Sequence, residues 1–277
     1  MIVIIGLLMA MLLPAVGALR EQSRRTQCVM NLSSLAFAVA RHDVAKGAIP
    51  GWCNVLPSGR YSWCVPLLPY LERQDAYDAL PSAAPYLSMF VCPSSVPDMK
   101  TTPLSYVGSA GAGSNVDGLQ AATGVVLDTS AANGSVSLNN VEASDGTATT
   151  LLLSERCGRL ISTSTSAGAV ISISTWNAPA TGLSWSGATP VFGMAQATAP
   201  GKVINSLITG GSTASGAYNM PNSKHPGGVV VAYCGGNVAF IPDTLAADLY
   251  AQRMSWRHAR ASGTTPYSTW VGSCNPE

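Results

Sequence analysis

The pattern of hydrophobic and polar residues changes abruptly after Leu19. Residues 1–19, MIVIIGLLMAMLLPAVGAL, contain no charged residue and no His, Asn or Gln. In the polar stretch that follows, the apolar residues recur at steps of 4, 3 and 4, which places them on one face of a helix: Cys28, Leu32, Leu35 and Val39. Gly47 and Pro50 then end the helical pattern, because these residues close helices. We therefore predict one long helix over residues 1–45, apolar in its first half and amphipathic in its second.

Short β patterns dominate residues 46–277, which we predict to form one globular head. Apolar or alternating runs predict strands at residues 89–92, 124–128, 135–141, 149–155, 169–174, 228–234 and 237–241. Gly235-Gly236 reads as the tight turn of a hairpin between the last two. Helical patterns appear only at residues 67–80 and, capped by Thr244, at residues 245–254. The predicted fold class is α+β: a long N-terminal helical stalk and a mainly antiparallel β head with short helices.

Three interpretations compete for the apolar segment. A cleaved signal peptide needs a basic start and a shorter apolar run, and neither is present. A single-pass membrane anchor is compatible with its length, because about 20 apolar residues in a helix span a bilayer. Arg20, Arg24 and Arg25 would then place the head in the cytosol by the positive-inside rule. A hydrophobic stalk that packs against copies of itself is the third interpretation.

Composition narrows the functional class. The chain has 277 residues with 15 basic and 14 acidic side chains, so its net charge is +1. This small net charge gives no sign of a basic surface that would bind nucleic acid. Only 10% of the residues are charged, against about 25% in ordinary soluble domains. A surface of Ser, Thr, Ala, Gly and Asn suits a secreted subunit packed among copies better than a cytosolic enzyme.

The cysteines favour an oxidising compartment, because seven of them are scattered without a CxxC pair. Cys53 and Cys64 lie eleven residues apart across a Pro/Gly/Ser turn and form a candidate local disulfide. Seven cysteines leave an odd thiol over, and the sequence does not define the connectivity.

The sequence contains no recognisable catalytic motif, so we expect no enzyme, no cofactor and no metal site. His225, before Pro226-Gly227-Gly228, is the sharpest candidate for a ligand or general base. No carboxylate is its neighbour in the sequence, which favours a ring that hydrogen-bonds a backbone carbonyl. Asp117, Asp128 and Glu155 are candidate calcium ligands, but without EF-hand spacing we interpret them as solvated loop acids.

Six ordered blocks carry a family resemblance. After the opening IVIIGLLMAMLLPAV they are RRTQCVMNLSSLAFAVARHD, SWCVPLLPYLERQDAYDAL, FVCPSS, SYVGSAG, ASDGTATTLLLSE and SKHPGGVVVAYCGGNVAFIPD. Together they resemble the bacterial prepilin-type (type IV pilin-like) proteins that carry a domain of unknown function and end in His, nine residues, then Asp-Gly. Here the motif begins at His225, and Gly235-Gly236 stand in place of Asp-Gly, which favours a turn over a ligand site. The resemblance also implies that Cys28 and Cys92, a second candidate disulfide, tie the stalk to the head.

The resemblance implies a structural subunit of an extracellular type IV pilus-like or pseudopilus-like filament. Its alternative is a membrane-anchored surface binding module or a minor pseudopilin of a secretion system. The expected partners are copies of the chain, the inner membrane before assembly and the pilus or secretion assembly machinery, and the expected location is the cell surface. The processing site of such proteins is expected about eight residues upstream of Met1. The residues expected to act in assembly are Gly6, Ala10, Pro14, Gly17, Arg20, Glu21, Arg24 and Arg25.

Overall fold

The long helix is present and ends where the sequence predicts. The computed structural model describes residues 2–51, 54–57, 59–80, 85–95, 103–112, 124–127, 135–156, 160–161, 169–170, 174–175, 191–194, 204–205, 221–245, 247–254 and 256. For residues 2–15 it describes the helical backbone only. Helix α1 spans Ile2–Lys46, and Gly47 follows at φ +75°, a left-handed conformation that terminates helices.

The other helices are short and the strands numerous. The helices are α2 (Cys64–Leu67), α3 (Gln74–Asp78), α4 (Leu138–Glu142) and α5 (Ala247–Met254), with 3-10 turns at Leu68–Leu71 and Ser88–Phe90. The strands are β1 (Asn54–Leu56), β2 (Gly59–Tyr61), β3 (Pro103–Leu104), β4 (Tyr106–Ala112), β5 (Leu151–Glu155), β6 (Leu160–Ile161), β7 (Ala169–Val170), β8 (Ser174–Thr175), β9 (Val191–Met194), β10 (Gly228–Tyr233) and β11 (Val238–Pro242).

One sheet of five strands organises the head, in the order β11-β10-β5-β4-β9. Its first four strands pair antiparallel, and β9 joins the edge parallel to β4. The other pairs are β1 with β2, β3 with β8 and β6 with β7. The predicted α+β class with a mainly antiparallel head is therefore confirmed.

The second half of α1 belongs to the core of the head. The predicted inner face of the helix is confirmed, because its four apolar side chains are all at most 1% exposed: Cys28, Leu32, Leu35 and Val39. Val230 and Ala232 of β10 lie in the same apolar cluster as this helix face. Val229 and Val231 alternate with them and pack in a second cluster with Tyr250 of α5. Strand β10 is thus buried on both faces, which explains its continuous apolar run.

Glycine at position 228 is imposed by a close approach between strands. A Cβ built there would lie 2.1 Å from the carbonyl oxygen of Ile241, which is across the hairpin. The predicted hairpin is confirmed, with Gly235 and Gly236 in the turn between β10 and β11. A Cβ at Gly235 would meet nothing closer than 3.4 Å.

Two predictions from short apolar runs were wrong. Residues 89–92 are not a strand: Ser88–Phe90 form a 3-10 turn, with Phe90 buried. Residues 135–141 are not a strand either, because the side chain of Ser137 accepts a hydrogen bond from the Asn140 amide and caps helix α4. Short apolar runs satisfy a strand and a buried turn equally well.

Other predicted elements were broken, shortened or missing. Residues 67–80 form two short helices and a 3-10 turn, because Glu72 adopts φ 61° and interrupts the helical backbone. Residues 124–127 are bends without strand pairing, in which the amides of Val125 and Val126 both donate to the carbonyl of Ser109. The region 169–174 contributes to two separate strands, β7 and β8. Helix α5 begins at Ala247, two residues later than predicted.

Within the part of the chain whose side chains are described, which on α1 begins at Val16, no helix has the length and apolar character needed to cross a membrane.

The packing of α1 predicts a contrast between two neighbouring side chains. Replacing the fully buried Leu35 with Ala should lower the free energy of unfolding by about 2–5 kcal/mol, through lost apolar contact and a cavity. Phe37→Ala, at a site 62% exposed, should change it by less than about 0.5 kcal/mol. Urea unfolding of the full chain in mild detergent, followed by circular dichroism, measures both. Equal losses would mean that the inner face does not anchor the helix.

Gly228→Ala should destabilise the head by about 1–3 kcal/mol or more, because β10 and β11 must separate to admit the methyl group. Gly235→Ala is the matched control, and its methyl group fits at ordinary contact distance. Thermal unfolding of the two variants tests this. A Gly228→Ala midpoint equal to that of the control contradicts the strand approach described above.

Candidate metal centre

Four chemically reactive side chains converge from four distant parts of the chain. Cys28 lies on α1, Cys92 just after the 3-10 turn Ser88–Phe90, Glu155 at the end of β5, and His225 in the loop before β10. Their sulfur, oxygen and nitrogen atoms all lie within 4.8 Å of one another. None is more than 2% exposed. We call these four residues the buried cluster.

The Nε2 atom of His225 lies close to the other three members. It is 3.2 Å from the Sγ of Cys28 and 3.4 Å from that of Cys92. It is also 3.3 Å from Oε1 of Glu155. The two sulfur atoms are 3.1 Å apart.

The opposite ring nitrogen is held by α1. Oε1 of Glu21, about two turns before Cys28 on the same face of α1, lies 2.5 Å from Nδ1 of His225. The hydroxyl of Ser94 donates to both oxygens of that carboxylate, at 3.1 and 3.2 Å. Glu21 therefore fixes the ring so that Nε2 faces the two sulfurs.

Glu155 is a carboxylate buried entirely within protein. Its Oε2 accepts a hydrogen bond of 2.9 Å from the amide of Val230, which holds the group in place across the β5–β10 ladder. Its Oε1 makes no well-directed hydrogen bond with any described residue and points at Nε2 of His225. A buried charge is costly unless a cation compensates it. The cluster is the place where such a cation would act.

The protonation states are strongly coupled. Burial lowers the pKa of His225, but its contacts with Cys92, Glu155 and Glu21 outweigh burial and raise it well above the ordinary value. The hydrogen bond with Cys92, burial and the Glu155 charge raise the pKa of Cys28, whereas the Tyr106 hydroxyl favours its thiolate. Without another cation, Cys28 is therefore a protonated thiol and His225 an imidazolium.

The predicted disulfide between Cys28 and Cys92 is wrong, although the two residues do meet. The structure brings the two residues together, as the tie between stalk and head requires. No disulfide joins them, however, because their sulfurs are 3.1 Å apart against about 2.05 Å in a disulfide. Cys64 is a buried thiol, and its suggested partner Cys53 lies outside the described residues.

The interpretation of His225 as a carbonyl-bonded loop residue was wrong. Glu21 and Glu155 both contact its ring, although they are 204 and 70 residues away along the chain. Glu155 is likewise not a solvated loop acid, since it is fully buried. The other two acids of the calcium hypothesis, Asp117 and Asp128, lie outside the described residues.

Gly235 and Gly236, at the far end of the C-terminal motif, take no part in the cluster. The extended strand β10 separates them from His225 by about 20 Å. The Asp that the family motif has at position 235 would therefore not reach the cluster. The Gly found there in this chain leaves the cluster intact. Gly227, next to the motif's Pro226, adopts φ +82° and turns the chain from His225 into β10.

The residues expected to act in assembly have separate environments. Gly6, Ala10 and Pro14 lie where only the helical backbone is described, and Gly17 and Arg20 are exposed. Exposed Arg24 forms an ion pair of 3.6 Å with Glu21. The guanidinium of Arg25 lies 3.3 Å from the ring centroid of Phe240, a cation–π contact between helix and sheet.

An open groove of about 550 Å³ runs along α1 beside the cluster. Glu21, Arg25, His225 and Pro226 are among the residues that line it. Solvent thus approaches the Glu21 side of the cluster, whereas the two thiols lie behind the imidazole. The groove therefore offers an ion a route to the His225 side of the cluster.

The sequence did not indicate Glu155 as a cluster member, nor Ser94 and Tyr106 as supporting groups. One signal was available: each of the four cluster members lies in one of the six blocks that carry the family resemblance. The distances along the chain hid the connection.

Comparison with known proteins gives a family but no close relative. No curated protein and no solved structure shows significant similarity to the chain. A family model described as a protein of unknown function (DUF1559) matches residues 17–248, a span that includes the whole buried cluster. The chain therefore belongs to the DUF1559 family of proteins of unknown function.

Proposed function

We propose that this chain is a structural subunit of an extracellular type IV pilus-like or pseudopilus-like filament, held together by bundling of α1 helices. The observation that carries the proposal is an apolar stripe on α1 that the head leaves uncovered. Its members are Leu19, Met30, Phe37 and Val44, which are 65%, 64%, 62% and 88% exposed. We call these residues the outer stripe.

The outer stripe lies opposite the face that packs on the head. Successive residues of an α-helix are about 100° apart, so the spacings of 11, 7 and 7 keep the outer stripe on one line about 180° from Cys28, Leu32 and Leu35. Ser and Thr occupy several positions between its members. The helix thus has two apolar faces, and its own head covers only one.

The first half of the helix supplies the surface that the outer stripe would meet. Residues 16–20 are all exposed, so α1 has left the head before Glu21. From Leu19 its backbone continues as helix to Ile2, through a sequence without a single charge. Apolar helices of neighbouring copies are the partner that fits both the outer stripe and this apolar half.

Before assembly, the apolar half is proposed to reside in the inner membrane, from which the pilus or secretion machinery removes it. Lipid tails are as apolar as leucine, so bundling gains little hydrophobic free energy and depends on close packing at small residues. Gly6, Ala10 and Gly17 would provide this packing, and a Cβ at Gly17 would meet no described atom of its own chain within 4 Å. The low charge content of the chain also suits heads that pack side by side.

Adding charge to the outer stripe should prevent assembly without unfolding the subunit. Met30→Glu combined with Phe37→Glu should abolish filaments seen by negative-stain electron microscopy, because both side chains would be desolvated between helices. The head should keep its stability to within about 0.5 kcal/mol, since both sites are exposed. Gln22→Glu with Gln27→Glu, two exposed positions off the stripe, adds the same charge and should leave filaments intact. Normal filaments from the stripe variant would exclude the stripe as a contact.

A bulky side chain introduced into the apolar half of α1 tests directly whether the helices bundle. Gly6→Phe should abolish filaments while leaving a folded, membrane-inserted subunit, and Gly6→Ala should assemble. Membrane flotation and electron microscopy read out the two properties. A wild-type chain that never polymerises alone but co-purifies in one defined complex would instead support a minor pseudopilin or surface binding module.

A further inference from the structure

We propose that Cys28, Cys92, Glu155 and His225 bind one zinc-type divalent metal ion in a four-coordinate structural site that joins the stalk helix to the head. The proposal concerns the folded subunit and does not depend on filament formation.

The distances within the buried cluster suit a tetrahedral ion. Zinc binds thiolate sulfur at about 2.3 Å and imidazole nitrogen at about 2.0–2.1 Å, so the ligand atoms of a tetrahedral site lie about 3.3–3.8 Å apart. The four contacts given above are 3.1–3.4 Å, and no pair of ligand atoms exceeds 4.8 Å. Small side-chain adjustments would seat the ion.

The donor set selects the class of metal. Two sulfurs and an imidazole are soft or borderline ligands, which favour zinc and other late transition metals over calcium and magnesium. Four protein ligands, all buried, leave no open coordination position, which is typical of structural rather than catalytic zinc sites. Binding would displace the protons of two thiols and of Nε2, which pass to solvent.

The groups around the buried cluster already lie where they would orient the metal ligands. Metal-bound histidines usually donate their second ring N–H to a carboxylate, and Glu21 lies at Nδ1 of His225 in this arrangement. The amide of Val230 holds Glu155, and the Tyr106 hydroxyl faces Cys28. The Oε1 of Glu155, fully buried and without a well-directed hydrogen bond from a described residue, is the independent sign that a cation belongs here.

A disulfide between the two cysteines is the competing chemistry. It would use the two sulfurs but would give no role to the convergence of Nε2 and Oε1 on them. A metal ion uses all four groups and compensates the Glu155 charge. It also connects α1 to three separate segments of the head, at the level where the helix leaves it.

The test uses the full chain, purified in mild detergent with reductant, treated with chelator and then given Zn²⁺ or Co²⁺. One equivalent of Zn²⁺ should remain after desalting, as measured by elemental mass spectrometry. Co²⁺ should give the absorption bands of thiolate ligation and tetrahedral geometry. Zn²⁺ should also raise the thermal midpoint, because it binds the folded state, whereas Ca²⁺ should not.

Matched variants locate the site. Cys28→Ser and Cys92→Ser should each lose stoichiometric zinc and the Co²⁺–thiolate bands. Cys234→Ser, which removes another buried cysteine outside the buried cluster, should keep both. Glu21→Gln should weaken zinc binding about 10–100-fold and retain the thiolate bands, as expected for a positioning residue rather than a ligand.

Two results would overturn the proposal. One is failure of the reduced wild-type chain to take up Zn²⁺, including the case in which it is isolated with a Cys28–Cys92 disulfide and binds no metal after reduction. The other is zinc uptake by the Cys28→Ser and Cys92→Ser variants that equals that of the wild type.

Discussion

The packing of one face of α1 against β10 and its neighbours is the interaction on which the rest of the structure depends. The helix is 45 residues long, and its described core contacts with the head come from its second half. Leu32 and Leu35 are fully buried there, and Arg25 and Asn31 add polar ties to Phe240 and Tyr106 around them. Because an isolated strand pair is only marginally stable in water, the helix completes the core that the hairpin needs.

This packing also determines the chemistry of the buried cluster. Docking α1 brings Cys28 to Nε2 and Glu21 to Nδ1 of the His225 ring, while β5 delivers Glu155 to the Nε2 side. Neither cysteine of the cluster would be reactive alone, since a single buried thiol behaves as a small apolar side chain. The meeting of these groups in a water-poor space makes a buried carboxylate costly unless a positive charge lies beside it, which is either the protonated His225 or a bound cation.

The two faces of α1 serve different purposes in the proposed function. The inner face packs against the head, and the outer stripe remains exposed for contact with other copies. A metal ion at the buried cluster would add a second type of connection at the level where the helix leaves the head. Such a connection would resist a force that pulls the helix away from the sheet, which apolar packing alone resists less well because it is non-directional.

Local physics explains which elements the sequence predicts well. Two local signals define the helix: the apolar period of Cys28, Leu32, Leu35 and Val39, and the stop at Gly47. Both lie within a few turns of one another. The hairpin around Gly235-Gly236 is equally local, as is the buried strand β5. The predictions at 89–92 and 135–141 were wrong because segments of four to seven residues have no decisive period, and because Ser137 caps a helix.

The sequence by itself determined the long two-part helix, the α+β class and the candidates Cys28, Cys92 and His225. Only the tertiary structure decided that these three residues meet Glu155 and Glu21, and that α1 exposes a second apolar line. The physical reason is the range of the interactions. Hydrogen bonding and side-chain periodicity act between residues near in sequence, whereas the contact of His225 with Glu21 joins residues 204 positions apart and exists only after the helix has docked on the sheet.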